Sequence, residues 1–427
     1  MGLVICIAFV VALVLSVPIS ITLGVASMAG ILYLSPDFLV IIPQKVLFGV
    51  NSFPLLAIPL FILAGTIMAQ GGIARRIVAM ALVFVGHIRG GLGLVVIVST
   101  MLFSGVCGSA SADTAAIGSI TLPEMKKKGF PTPFATALLA SAGGTSQLVP
   151  PSIDLIIIGV IGNISIGGLF AAGLLPGVVN GLGLMAVAYY FGWKLNLPVE
   201  ARMSWKEKIW ACLDGSLAAL MAVIILGGIL GGIFTPTEAS AVAVVYGFCV
   251  SVFIYKELKF EDIPRVLLQT CRLTGMVMLV IGMAALLSFV LTFERIPHAV
   301  SQFIVDNAGN WIVFVLFVQI VLLLVGMVMD ALPVLIILLP ILLPVAVDLG
   351  MDPIHFGILV EANMGLSLIT PPVGICLYVA CGLSDLKVED ILRPLVPFIL
   401  VLVATLLIIS YVPEITLFVP RLLGYVQ

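Results

Sequence analysis

The amino-acid sequence predicts an all-α polytopic membrane protein built as an inverted repeat, each copy holding a re-entrant helical hairpin and a broken helix. Three observations carry that prediction. The composition suits no water-soluble fold, short polar connections separate long apolar runs, and two parts of the chain correspond at a spacing of 221 residues.

Of 427 residues, 62% are hydrophobic and 9% charged, with 19 Lys and Arg against 21 Asp and Glu. A soluble domain carries about 25% charged residues, so lipid is the expected solvent. A spanning helix needs about 20 apolar residues, which leaves room for roughly ten to thirteen membrane segments. The run from Met1 to Leu34 is too long for a signal-peptide core and has no basic region before it, so it is expected to stay in the mature protein. A net charge of −2 leaves no basic stripe for nucleic acid. The seven cysteines (Cys6, Cys107, Cys212, Cys249, Cys271, Cys376 and Cys381) lie in apolar segments without metal-finger spacing. They read as small core residues rather than a disulfide framework.

Polar punctuation falls at Arg75 to Arg89, Glu124 to Lys128, Lys194 to Lys208, Lys256 to Arg272, Glu294 to Asn310, Asp348 to His355 and Ser384 to Arg393. The connections at Lys194 to Lys208 and at Lys256 to Arg272 are both basic and stand about two spans apart. They are expected on one face, which the positive-inside rule makes cytoplasmic.

Adding 221 to Pro123, Gly129, Gly144, Ser146, Pro150 and Pro151 lands on Pro344, Gly350, Gly365, Ser367, Pro371 and Pro372. These identities fall on helix-breaking or polar types, which chance matching of Leu and Val does not select. The first copy reads EMKKKG between Pro123 and Gly129 where the second reads VAVDLG. Basic residues favour the cytoplasmic face and acidic ones are indifferent. Equivalent points are therefore expected on opposite sides of the membrane, the signature of an inverted-topology repeat with its site near the midplane.

Each copy interrupts a helix. The runs are SAGGTSQLVPPS (Ser141 to Ser152) and NMGLSLITPPVG (Asn363 to Gly374). Proline removes a backbone donor and clashes with the preceding turn, and bare carbonyls at membrane depth persist only where protein or a bound ion satisfies them. With Thr145, Ser146, Asn363, Ser367 and Thr370, such oxygens suit a hard cation such as Na⁺; the alternative is a plain proline kink. Upstream, SGVCGSASADTAAIG (Ser104 to Gly118) and GMVMDALP (Gly326 to Pro333) place small and polar residues inside apolar stretches, as a hairpin tip would. Asp113 and Asp330 are functional candidates at that depth, or caps on the second helix of each hairpin.

Asp154, Glu238 and Glu361 are further intramembrane carboxylates. Thr235 or Thr237 with Pro236 makes Glu238 a helix-start residue, and Glu361 either couples protons or makes a buried hydrogen bond. His87, His298 and His355 are expected in connecting segments, without a ligand role. No G-x-x-x-x-G-K-[ST], HExxH or GxSxG run occurs, so neither ATP use nor an enzyme is supported.

The chain resembles the large membrane subunit of tripartite ATP-independent periplasmic (TRAP) transporters nearly end to end. The resemblance rests on FPLLAIPLFILAGTIM (53–68), GGIARRIV with VGHIRGGLG (71–93), SADTAAIGSI (111–120), VPPSI (149–153) and GIFTPTEASAVAVVYG (232–247). It continues through VGMVMDALPVLIILLPILLP (325–344), DPIHFGI (352–358) and LITPPVG (368–374). It implies an elevator-type member of the ion transporter superfamily, multi-pass in the bacterial inner membrane. Scaffold helices are expected over 1–90 and 193–305, and a transport domain of hairpins and broken helices over 91–192 and 306–427. The resemblance also implies a separate four-helix small membrane subunit, a periplasmic solute-binding protein, an organic acid as cargo and Na⁺ as coupling ion, with no other cofactor. Relatives commonly carry an apolar run where this chain has Thr145-Ser146-Gln147 and Asp154, a departure that points to a hydroxyl-rich acid such as sialic acid over C4-dicarboxylates or sugar acids.

In this reading Na⁺ binds first at the breaks and organises the hairpin tips. The ligand carboxylate then meets backbone N–H groups at half-helix N-termini. Candidate Na⁺ positions are Gly143, Gly144, Thr145, Ser146, Pro150, Gly326, Gly365, Ser367, Thr370 and Gly374. Candidate ligand contacts are Ser104, Ser109, Ser111, Asp113, Gln147, Asp154, Asp330 and Asn363. The rivals are a proton-coupled carrier using Asp154 or Glu361, and a passive channel.

Overall fold

The computed structural model describes residues 2–199, 204–295 and 310–426. His298, the boundary at 305 and residues 200–203 of the first basic connection lie outside them. Among the described residues no strand forms, as expected where lipid leaves every backbone group to be satisfied within its own segment. Among the described residues seven helical stretches are long and apolar enough to cross a membrane, and six shorter apolar helices accompany them.

The first helices are α1 (Gly2–Val14), α2 (Ile19–Leu34), α3 (Ile41–Val50), α4 (Ala57–Gln70) and α5 (Ile73–Val85). A hairpin follows, α6 (Gly91–Cys107) and α7 (Ala110–Lys127), then α8 (Thr132–Ser146), a non-helical gap, α9 (Ile153–Gly162) and the long α10 (Ile166–Lys194). Next come α11 (Trp205–Leu230), α12 (Pro236–Cys249) and α13 (Ile263–Phe293). The second hairpin is α14 (Trp311–Gly326) and α15 (Ala331–Asp348). It leads into α16 (Pro353–Ser367), a second gap, α17 (Ile375–Ser384), α18 (Val388–Tyr411) and α19 (Pro413–Leu422).

The 221-residue spacing seen in sequence is a spacing of structure. Shifting the bounds of α7 and α8 by 221 reproduces those of α15 and α16 without adjustment. The repeated Gly129 and Gly350 end α7 and α15 in the same way, at φ +80° and +82°. Just past each, an N–H reaches back five residues, Phe130 to Met125 O at 3.0 Å and Met351 to Ala346 O at 2.9 Å. Only a left-handed residue closes that turn without strain, hence glycine in both copies. The double prolines are a second match, each with a cis bond, Pro150–Pro151 and Pro371–Pro372.

Helices α1 to α5 pack mainly with α11 to α13, and α6 to α10 with α14 to α19. In the second group the copies interlock: α9 lies on α15 of the other copy, and α17 lies reciprocally on α7. At the centre α8 crosses α16 backbone to backbone. A Cβ on Gly144 would stand 2.6 Å from Gly365 O, and one on Gly365 would stand 2.5 Å from Gly144 O. The repeat-related glycines therefore touch each other, which puts them on the pseudo-two-fold axis.

An ionic cluster ties the first group at one end. Arg76 reaches Asp214 (3.2 Å) and Glu257 (2.8 Å), and Arg75 also reaches Glu257 (2.5 Å). The Arg76 guanidinium lies 3.6 Å from the Tyr255 ring centroid, and Tyr255 OH donates to Asp214 O at 2.6 Å. Arg76 is the buried member, its side chain 13% exposed. These contacts join the start of α5, α11 and the connection after α12, so the basic connections flanking α11 and α12 do lie at one face.

Two readings need correction. Cys6, Cys249 and Cys271 are exposed on the outside of the bundle rather than buried in it; apolar sequence does not separate a core-facing from an outward-facing position in a membrane helix. His355 is not in a connection. It lies in the first turn of α16, buried, with its ring nitrogens 2.7 Å from Thr416 Oγ1 and 3.2 Å from Ser410 O. Glu238 does start a helix, in a capping box with Thr235.

The glycine contact predicts that Gly144→Ala costs about 1–3 kcal/mol, because the group it strikes is backbone and has nowhere to go. Gly227→Ala in α11, where a Cβ meets nothing within 4 Å, is expected to be neutral or mildly stabilising. Thermal unfolding of both variants in detergent checks the contrast.

Candidate functional site

Helix α8 stops at Ser146 and α16 at Ser367, directly after the glycines that cross. Both gaps are pinned to a hairpin tip by one backbone bond, Ile153 N–H to Gly108 O (3.2 Å) and Val373 N–H to Met327 O (3.1 Å). Two breaks and two tips thus meet in one region, with Gly326 packed against Ser367.

Hydroxyls crowd the breaks. Thr145 Oγ1 donates to Ala142 O (2.9 Å), Ser367 Oγ to Asn363 O (2.9 Å) and Thr370 Oγ1 to Leu366 O (2.7 Å). A hydroxyl that donates its proton keeps its lone pairs, so each of these oxygens remains an acceptor for a cation. Not every freed carbonyl is bare, however. Ser146 O accepts from Ser104 Oγ at 2.6 Å, and Leu368 O from Cys376 N–H at 3.1 Å. Asn363 donates its amide to Gln319 O (3.0 Å), which turns its Oδ1 toward Ser367.

The two aspartates divide in role. Asp330 holds the N-cap position of α15, its carboxylate accepting from the N–H of the first helical residue, Ala331, at 2.8 Å. Asp113 is not a cap. Ser109 holds that position, and Asp113, one turn further on, is buried with Oδ2 2.8 Å from Ser146 Oγ and Oδ1 without a partner among the described residues. Across the first break Ser152 caps α9, accepting from Leu155 N–H at 3.5 Å, and Asp154 in the same first turn takes the amide N–H of Gln147 in a short hydrogen bond.

A cavity of about 390 Å³ opens between the two helix groups. Ser109, Ser111, Gln147, Asp154 and Asp330 line it; Ser104, Asp113 and Asn363 are outside the lining and bond Ser146 O, Ser146 Oγ and Ser367 Oγ at the breaks. Asp154 and Asp330 are the charged residues lining it, and no Lys, Arg or His is among them. Sequence reasoning missed the opposite wall entirely: Thr66 and Gln70 of α4, and Gln269 and Met276 of α13. Gln70 and Gln269 bond each other at 3.2 Å across 199 residues of chain. Their only sequence signal was an amide at the end of an apolar run. Cys107 and Cys376 also line the cavity. No cluster of three or more His, Cys, Asp or Glu with metal-binding arrangement occurs among the described residues, so a cation held here would be held by hydroxyl, carbonyl and single carboxylate oxygens.

Comparison with known proteins agrees in sequence and in shape. Residues 6–415 match the family model described as the tripartite ATP-independent periplasmic transporter, DctM component. The chain is 39% identical over 403 residues to the C4-dicarboxylate TRAP transporter large permease protein DctM of Pseudomonas aeruginosa, covering 94% of each. It is 36% identical over 414 residues to the isethionate TRAP transporter permease protein DctMQ of Oleidesulfovibrio alaskensis, covering 96% of this chain and 65% of that one. Among solved structures it shares its fold with Neisseria gonorrhoeae MtrF, an antimetabolite efflux pump, at a TM-score of 0.59 and 14% identity, covering 89% of this chain and 86% of that one. With a membrane-helical fold, a paired break at its centre and relatives that are transporter subunits rather than enzymes, the chain belongs to the DctM family, the large permease components of TRAP transporters.

Proposed function

We propose that this permease imports an organic acid across the bacterial inner membrane by coupling it to Na⁺. The observation that carries this reading is the charge of the cavity: Asp154 and Asp330 line it, with no basic side chain. Relatives are named for dicarboxylate and isethionate transport, and an anion entering a pocket with two carboxylates is repelled unless cations enter too. Hydroxyl and carbonyl oxygens at the two breaks are the places for them. Ions and anion then favour each other's binding reciprocally.

In the proposed cycle, helices 1–90 and 193–305 form a fixed scaffold. Helices 91–192 and 306–427 form the moving block, with hairpin tips that stop partway through the bilayer. The seam between them supports sliding. Its 250 Å³ gap is lined by small and apolar groups, among them Gly49, Ala284, Ala285, Ile157, Ile336 and Pro340. The ligand cavity lies at the ends of α4 and α13 beside the Arg76 cluster. By the positive-inside rule that end is cytoplasmic, so the cavity faces inward in this arrangement.

A small membrane subunit and a periplasmic binding protein complete the assembly in this proposal. A relative whose name joins M and Q in one longer chain supports the first partner, and the family's description as tripartite and periplasmic supports the second. The cargo is read as a hydroxyl-bearing acid of the sialic-acid kind. Gln147 lines the cavity, its N–H is engaged by Asp154, and its Oε1 is buried without a partner among the described residues, so it is an acceptor for a ligand hydroxyl.

Uptake into proteoliposomes containing both permease subunits and supplied with the binding protein is expected to require an inward Na⁺ gradient and to show saturable counterflow. Equal uptake without Na⁺ would remove the coupling, and unsaturable flux would favour a channel. Gln147→Ala is expected to cut uptake of a hydroxyl-bearing acid about tenfold or more, the loss of one buried hydrogen bond to the ligand, with less effect on a plain C4-dicarboxylate. Unchanged transport of the native ligand would withdraw the hydroxyl-acid assignment.

A further inference from the structure

The first helix group lines the ligand cavity with one stripe from each of two helices. From α4 come Ile62, Thr66, Ala69 and Gln70; from α13 come Gln269, Leu273, Met276 and Val280. Both sets recur at one-turn steps, so each is a single face of its helix. The stripes are largely apolar and end on an amide: Gln70 is the last residue of α4, and Gln269 stands in the second turn of α13. Thr66, one turn before Gln70, has its hydroxyl committed to Ile62 O at 2.7 Å.

Gln70 Nε2 donates to Gln269 Oε1 at 3.2 Å, and neither amide bonds another side chain among the described residues. Two primary amides hold four N–H donors and two oxygens, and one bond between them uses one of each. Three donors and one oxygen are left over, and turning both amides end for end does not change that count. Gln70 is half-buried and Gln269 exposed, so these groups are open to a cavity occupant. Donors of this strength are scarce in the lining. It holds no Lys, Arg or His, and the third amide, Gln147, is engaged by Asp154. An acid that gives up its water needs donors in exchange.

We propose that Gln70 and Gln269 form a ligand subsite, which takes an oxygen-bearing end of the organic acid, a hydroxyl or second carboxylate, while the cavity is in the arrangement of this structure. The subsite rests on the reading of the chain as an elevator-type carrier and deepens it. Gln147 and Asp154 belong to the block that slides, whereas α4 and α13 belong to the helices that stay. The amide pair therefore meets the cargo on the cytoplasmic side of the cycle and loses it when the block moves outward. It sets affinity and selectivity at one face of the membrane, where Gln147 acts at both.

Exchange in proteoliposomes holding both permease subunits, with the binding protein outside, tests the subsite. The probes are N-acetylneuraminate, a sialic acid, and succinate, a plain C4-dicarboxylate, and the half-saturating concentration is read separately for external and for internal acid. Gln269→Glu keeps an oxygen for the Gln70 N–H, so the tie between α4 and α13 survives while the free donors of Gln269 are replaced by a negative charge. It is expected to raise the internal value about tenfold or more relative to the external one, for whichever acid the unaltered protein exchanges. Gln70→Leu, which removes the tie and the donors together, is expected to raise the same ratio about three- to tenfold, the loss of one hydrogen bond to the ligand. Gln147→Ala, in the block, is expected to raise both values together. Internal and external values that stay in their original ratio in both wall variants overturn the subsite. So does impairment by Gln70→Leu with Gln269→Glu unchanged, since the pair would then be a strap between two helices. Failure of the carrier reading looks different: the unaltered permease would exchange neither acid.

Discussion

The crossing of α8 and α16 at Gly144 and Gly365 is the contact on which the rest of the molecule depends. Each glycine accepts the other's backbone at a distance no side chain permits, so the two broken helices meet at their thinnest points. The helices end within two residues of the crossing, which places both gaps at one depth and side by side. Reciprocal packing of α9 on α15 and of α17 on α7 then holds each half-helix against the other copy's hairpin. Separate the glycines by the width of one methyl group, and the two breaks no longer share a site.

That geometry sets the chemistry. The breaks supply oxygens whose hydrogens are already committed, the cavity beside them supplies two carboxylates, and no lining residue supplies a positive charge. Such a pocket is unsuited to an acid by itself and well suited to an acid accompanied by cations. Under the proposed function, coupling would follow from composition: with no basic residue in the lining, the counter-charge would have to come from ions, and ligand affinity would depend on their supply. The seam with the first helix group has the opposite character: its lining is apolar apart from Ser288, with Gly49, Ala284 and Ala285 among isoleucines, Leu55 and Val160.

Much of this was legible in sequence wherever a residue type has a single backbone meaning. Gly129 and Gly350 were legible as matching helix-breaking positions, though not as left-handed helix ends, and the double prolines as breaks, so the 221-residue repeat survived into the structure intact. Asp330 was legible as a cap, whereas Asp113 was not legible as a partner of Ser146, because a carboxylate one turn past a cap looks the same from sequence whether it bonds its own helix or another. The wall formed by Gln70 and Gln269 was invisible: their pairing spans 199 residues, and no local pattern records a contact between distant helices. The same reason hid His355, whose partners come from the end of α18 and from α19.

The central claim is that cations at the two breaks allow a negatively lined pocket to hold an acid. The most direct measurement is a cryo-EM structure of the permease determined with sodium and the transported acid at a resolution that reveals ions. The account predicts ion density at about 2.4 Å from hydroxyl and carbonyl oxygens at both breaks, with the ligand carboxylate beside Ser109 and Ser111. A ligand carboxylate seated in the cavity with neither break holding an ion, or paired directly to a lysine or arginine, would contradict it.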